Sequence, residues 1–194
     1  MQLQKEKVMI YIGIDPGAKG AMAMIDDEGN LIKTAPMTSK KIEGEKLIDI
    51  TEIYRFIKHE PLSLDEKMIV YLEKAQSMPR QGVASMFTYG VGYGMILAML
   101  IFENIEFRLV HPATWKAKLG ITISTPKGLT EQEKAQLKKQ RKGLAIITAK
   151  KLFPDIELIP DGKEVEQDGI AEAALLAEYG RQETINRTGT EVLQ

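Results

Sequence analysis

Two short apolar runs, each closed by a single carboxylate, dominate the hydrophobic pattern of this 194-residue chain. The first covers residues 8–14, ends at Asp15 and turns through Pro16, Gly17 and Gly20 into a second apolar run over 21–25. A run apolar at nearly every position suits a strand covered on both faces. Asp15 therefore falls where a lone anion is costly unless a cation or donors meet it. After a polar turn at 26–30, residues 31–37 read as an edge strand ended by Pro36. Leu47, Ile50, Ile53, Tyr54 and Ile57 recur at helical spacing and predict an amphipathic helix over 46–58. The second run, 67–73, follows that helix, so it can lie parallel to the first strand and present Glu73 beside Asp15.

The pattern then changes period. Residues 81–102 are helical and apolar almost all round, which predicts a helix buried against the sheet or a second subunit. Residues 105–110 read as a further parallel strand, and Pro112 opens a short helix carrying Trp115, Lys116 and Lys118. Trp115 suits core or hinge packing, with a base-stacking platform as the alternative. After a loop over 121–128, Thr130 and Glu133 form a capping box for a Lys-rich helix reaching about residue 152. The last predicted helix runs over about 166–181. Ile170, Ala173, Ala174 and Ala177 give it a small-residue face able to press on a sheet, and Asp168 and Glu172, four apart, share a second stripe. Residues 183–194 are polar and expected to fray. The whole predicts an α/β fold, three antiparallel strands followed by parallel ones with flanking helices, in one domain over 1–182 with a basic insertion near 121–142.

Composition narrows the chemistry. With 44% hydrophobic residues the chain can bury one full core. The absence of cysteine excludes disulfides and thiolate metal sites, leaving Asp, Glu, His59 and His111 as ligands and favouring hard cations. No signal-like segment opens the chain, and no run reads as the roughly 20 apolar residues of a membrane helix, so a soluble intracellular protein is expected. The net charge of −1 conceals two abutting blocks. Residues 111–151 carry ten Lys or Arg against Glu131 and Glu133, whereas 152–194 carry ten acids against Lys163, Arg181 and Arg187. Such blocks serve as solvated helix faces or hold a polyanion near metal-bearing carboxylates.

Asp15 alone admits three roles: an Asx cap on Gly17 or Ala18, a metal ligand, or part of a glycine loop cradling phosphate. Asp15, Glu73, Asp168 and Glu172 together favour the second. Two carboxylates about 4 Å apart repel by roughly 4 kcal/mol at an effective dielectric of 20, so such a cluster calls for divalent cations. Two metals about 3.5 to 4 Å apart are the usual apparatus of in-line phosphodiester hydrolysis, and magnesium or manganese suits oxygen ligands.

Four segments, in order, carry a family resemblance: Tyr11-Ile12-Gly13-Ile14-Asp15-Pro16-Gly17-Ala18-Lys19-Gly20-Ala21, then Val70-Tyr71-Leu72-Glu73-Lys74-Ala75-Gln76, then His111-Pro112-Ala113-Thr114-Trp115-Lys116, then Asp168-Gly169-Ile170-Ala171-Glu172-Ala173-Ala174-Leu175-Leu176-Ala177-Glu178-Tyr179-Gly180. The chain resembles the RuvC-type Holliday junction resolvases of the RNase H-like superfamily, most of all their phage or organellar branch. The resemblance implies an RNase H-like mixed sheet and a homodimer making paired cuts in four-way DNA junctions. It also implies about two magnesium or manganese ions per site, with Asp15, Glu73, Asp168 and Glu172 as the catalytic ligands. Lys19, Lys74, Arg80, Lys116 and Lys118 are the candidate DNA contacts. One departure stands out: bacterial resolvases space their two C-terminal acids three apart, but three from Asp168 lie Val165 and Ala171, so Glu172 at four takes that place. An actin- or Hsp70-like ATPase loop is disfavoured because no second copy of the loop occurs. A nuclease for flaps or RNA–DNA hybrids, or a junction-binding module that does not cut, remain as alternatives, though a binder would have no need of all four acids.

Overall fold

The computed structural model describes residues 8–58, 67–76 and 82–191. Its central sheet has five strands, β1 (Met9–Ile14), β2 (Ala21–Ile25), β3 (Leu31–Pro36), β6 (Lys67–Glu73) and β7 (Phe107–Val110), in the order β3-β2-β1-β6-β7. The first three pair antiparallel and the last two join in parallel, as the order of hairpins and crossovers requires. Ile14 lies opposite Leu72 across the β1–β6 ladder, so the next residues, Asp15 and Glu73, leave the sheet side by side.

Alternation along the strands divides the core in two. Ile10, Ile12, Ile14, Val70 and Leu72 face helices α1 (Ile50–Lys58) and α2 (Val83–Phe102). Tyr11, Ile69 and Tyr71 face the opposite layer of α3 (Pro112–Lys118), α4 (Glu131–Leu152) and α5 (Asp168–Glu191). Asp15 and Glu73 continue the second parity, toward α5. That helix lies close on the sheet: a Cβ on Gly13 would stand 2.1 Å from the Ala173 carbonyl oxygen, and one on Gly180 would stand 2.2 Å from the Tyr71 ring. The small-residue face expected of the terminal helix is the face that makes this contact.

Three expectations are corrected. Residues 46–58 are not one helix: Glu45–Ile48 form strand β5, paired with β4 (Ser39–Ile42) in a separate hairpin, and only Ile50–Lys58 is helical. The hairpin turns through Glu43 and Gly44, both at positive φ, the geometry of a tight two-residue turn. Asp49 then accepts the Thr51 amide at 3.1 Å and starts the helix. Second, the sheet side of the molecule covers only one face of α2. Gly92, Ile96 and Leu100 pack inward, but Val83, Phe87, Ile101 and Phe102 are 86%, 68%, 67% and 87% exposed. By length and composition alone α2 would suffice to cross a membrane, contrary to the sequence expectation. Third, the terminal helix continues to Glu191 instead of fraying from 183. The Thr184 hydroxyl bonds the Gly180 carbonyl and the Tyr71 hydroxyl, both at 3.0 Å, and ties that stretch to the sheet.

Candidate active site

The four acids of the sequence pattern converge at one end of the sheet. Asp15 follows β1, Glu73 closes β6, and Asp168 and Glu172 lie on the first turns of α5. Glycines set the spacing: a Cβ on Gly169 would stand 2.2 Å from the Lys19 carbonyl oxygen and one on Gly20 would stand 2.1 Å from that of Asp15, so the β1–β2 turn and the start of α5 touch backbone to backbone. The Asx role expected as an alternative for Asp15 is real: its Oδ1 accepts the Gly17 amide at 3.0 Å. A carboxylate has a second oxygen, so this cap leaves ligand capacity.

Burial pushes Asp15 up to about 6, with the Gly17 hydrogen bond opposing, Glu172 adding repulsion, Lys116 countering it and Asp168 adding more. Burial and then the Asp15 charge push Glu73 up to about 7, against Lys116 and the Trp115 hydrogen bond, with Glu172 adding repulsion. Glu172 thus adds repulsion at both strand-end carboxylates, and Asp168 adds it at Asp15. Tyr89 of α2 is raised to about 12 by burial and by the Asp15 and Glu73 charges.

Two lysines sit among these acids. Lys116 of α3 bonds Glu172 Oε1 at 2.8 Å, and Lys142 of α4 reaches Asp168 Oδ2 at 2.7 Å. Buried Trp115 donates its indole N–H to Glu73 Oε2 at 2.9 Å, so the core role expected of it also orients a site residue. Trp115, Lys142 and Tyr89 were not among the site residues expected from sequence. Trp115 lies in the third matched segment, but nothing in the residue order signals that Lys142 and Tyr89 approach.

Among the described residues, no three His, Asp or Glu side chains converge closely enough to cage an ion as they stand. Lys116 and Lys142 hold two of the acids. The donor set nonetheless fits a hard divalent cation: it is all oxygen, two of its members are destabilised as anions, and positive side chains are already drawn into it.

The candidate DNA contacts are dispersed. Lys19 is exposed on the β1–β2 turn and Lys74 is exposed one residue beyond Glu73. Lys116 is engaged with Glu172, and Lys118 lies 3.5 Å from Glu183. Arg80 lies outside the described residues. The basic insertion comprises the 121–130 loop and the first half of α4. The capping box is present in full, with the Glu133 amide bonded to Thr130 Oγ1 and the Glu133 carboxylate bonded to the Thr130 amide. Residues 131–141 of α4 are exposed except for half-buried Leu137. Arg141 ties the loop down through the Ile123 carbonyl at 3.2 Å from its Nε.

No family model and no curated protein matches the chain. Among solved structures, T. thermophilus RuvC in complex with Holliday junction substrate aligns over 91% of this chain and 96% of that one, at 13% identity and a TM-score of 0.51. Thermus thermophilus RuvC in a second structure aligns over the same shares at 12% identity and a TM-score of 0.46. At this identity the likeness is one of architecture, and with the strand order above it places the chain in the RNase H-like fold in its RuvC-like form.

Proposed function

We propose that this chain is a divalent-metal-dependent endonuclease that resolves four-way DNA junctions by paired symmetric incision. The observation that carries the reading is the gathering of Asp15, Glu73, Glu172 and Asp168 at one sheet end, with two of them raised well above ordinary carboxylates, next to the exposed basic half of α4. Asp15, Glu73 and Glu172 would hold the cation nearest the strands, and Asp168 would complete the set on the α4 side. Magnesium or manganese, when bound, supplies Lewis acidity for the attacking water and the leaving oxygen. The chain does the rest. Trp115 fixes the orientation of Glu73, Lys116 and Lys142 balance the acids, and Lys134, Lys138 and Lys139 on exposed α4 meet phosphates.

Paired cuts require two sites, and the exposed apolar flank of α2 supplies a surface for a second copy. Val83, Phe87, Ile101 and Phe102 leave a large apolar area in water on a single chain. T. thermophilus RuvC, a structural neighbour, was seen with a Holliday junction, and the same substrate class is proposed here.

The test is a substrate panel at equal salt with magnesium: a four-way junction, a flap, linear duplex, single strand and an RNA–DNA hybrid. Paired symmetric nicks in the junction, with far slower cutting of the others, are expected. Preferential cutting of the hybrid or the flap would transfer the same four acids to another RNase H-like activity, and junction binding without cutting under magnesium or manganese would make the chain a binding module.

A further inference from the structure

A second site lies on the α5 side of the sheet, past the Glu73 strand end. There a pocket of about 330 Å³ opens between the β6–β7 edge, the start of α3 and the later turns of α5. Tyr71 and Tyr179, packed edge to face with ring centroids 6.2 Å apart, form its inner wall. Lys74, Arg108 and Arg187 stand around it, all three exposed, with Thr114 and His111 between them. One acid lines it, Glu183, and Lys118 lies 3.5 Å from that carboxylate. The pocket is therefore cationic, whereas the neighbouring sheet end is anionic.

Two of the cations are tied to the sheet edge. The amide of Lys74, the residue after Glu73, bonds the Val110 carbonyl at 2.8 Å and fixes its backbone to the end of β7. Arg108 gives Nη2 to Glu106 at 2.8 Å, and a guanidinium with five donors keeps others for a second partner. Lysine as a point charge, arginine as a planar fork and a threonine hydroxyl together make phosphate-recognition chemistry.

Placement names the phosphate. A polyanion that brings one linkage to Asp15 and Glu73 is repelled there and has to be held by cations on both sides. Lys142, where the basic half of α4 ends, reaches Asp168, and Lys74 of this pocket follows Glu73 directly. Along α5, at 1.5 Å per residue, Glu172 and Glu183 are separated by about 16 Å, a few nucleotides along a DNA strand. The geometry points to this pocket as a phosphodiester subsite that grips the DNA backbone a few nucleotides from the cut. The inference rests on the nuclease reading above.

The experiment uses the full chain and measures junction affinity across a salt series without divalent metal, for Lys74→Gln, Arg187→Gln and the double variant, with Lys58→Gln on distant α1 as the control. Each pocket variant should weaken binding about five- to tenfold and lower the log–log salt slope by about 1, with the control unchanged. A methylphosphonate scan of the junction should find one linkage, a few nucleotides from the cut, whose neutralisation weakens wild-type binding and adds nothing in the double variant. Unchanged affinity and slope, or a full additional loss at that linkage in the double variant, would overturn the subsite. Inorganic phosphate that binds the wild type but not the double variant, with junction affinity the same in both, would assign the pocket to free phosphate and overturn it equally. A wild type that neither binds nor cuts DNA is a failure of the nuclease reading, visible before any variant is made.

Discussion

Trp115 Nε1 donates to Glu73 Oε2 at 2.9 Å across 42 residues of sequence, joining the first helix after β7 to the carboxylate at the end of β6. The bond lowers the pKa of Glu73 against the upward push of burial and of Asp15. Trp115→Phe keeps the aromatic bulk and removes the donor. Cleavage near neutral pH should fall about 10- to 100-fold, as for other losses of a partner that orients a metal ligand. The acidic limb of the pH–rate profile should move to higher pH, with about 1–3 kcal/mol of stability lost. A pH–rate series beside thermal melts checks this, and an unmoved acidic limb would remove Trp115 from the site.

Asp15→Asn should abolish cleavage while leaving junction binding intact or tighter, because it removes a ligand and one negative charge facing the phosphates. Asparagine retains an oxygen for the Gly17 amide, so the turn survives. The metal-free variant should be more stable than wild type by about 1–3 kcal/mol, since a buried anion beside like charges is replaced by a neutral group. Gel shifts, cutting assays and melts on one preparation test all three, and full cutting by the variant would defeat the assignment.

The acids also set a pH dependence for the metal-free protein. Asp15 is raised from 3.8 to about 6 and Glu73 from 4.5 to about 7. The folded chain then binds more protons than the unfolded one between those limits, and stability falls as pH rises through the window. Melting temperature should decline from about pH 5 to pH 7.5 without metal, and magnesium should flatten or reverse the decline by favouring the ionised forms. Melts in matched buffers with and without magnesium decide it, and a metal-free curve rising across that range would contradict the site's electrostatics.

The exposed flank of α2 predicts association. Ile101→Lys with Phe102→Lys should convert a dimer at micromolar concentration into a monomer without unfolding it, since both side chains point into water. Sedimentation of wild type and variant reads this directly. A wild type that is monomeric yet makes paired cuts would exclude the α2 interface.

Much of this architecture was legible in the residues. The strand ends at Asp15 and Glu73, the small face of the last helix and the capping box at Thr130 and Glu133 all follow from local pattern, because each is decided by spacing within one segment. The β4–β5 hairpin was not, since Lys46, Leu47 and Ile48 satisfy a helical period as well as a strand's and only the Glu43–Gly44 turn separates the two. The exposure of α2 was illegible for a different reason: an apolar helix shows that it wants a partner but not which one. Lys142 was hidden because its approach to Asp168 depends on how α4 crosses α5, which no local spacing encodes.

The contact between β1 and α5 has a further consequence for how such a chain varies over time. Gly13, Gly20, Gly169 and Gly180 hold the strand-borne and helix-borne acids at a fixed separation by having no side chain at all, while most surrounding core positions need only apolar bulk of fitting volume. A scaffold whose critical dimension is written in omitted atoms leaves its lettering largely unconstrained. Most other core residues can then be exchanged for ones of similar volume while the backbone keeps its course.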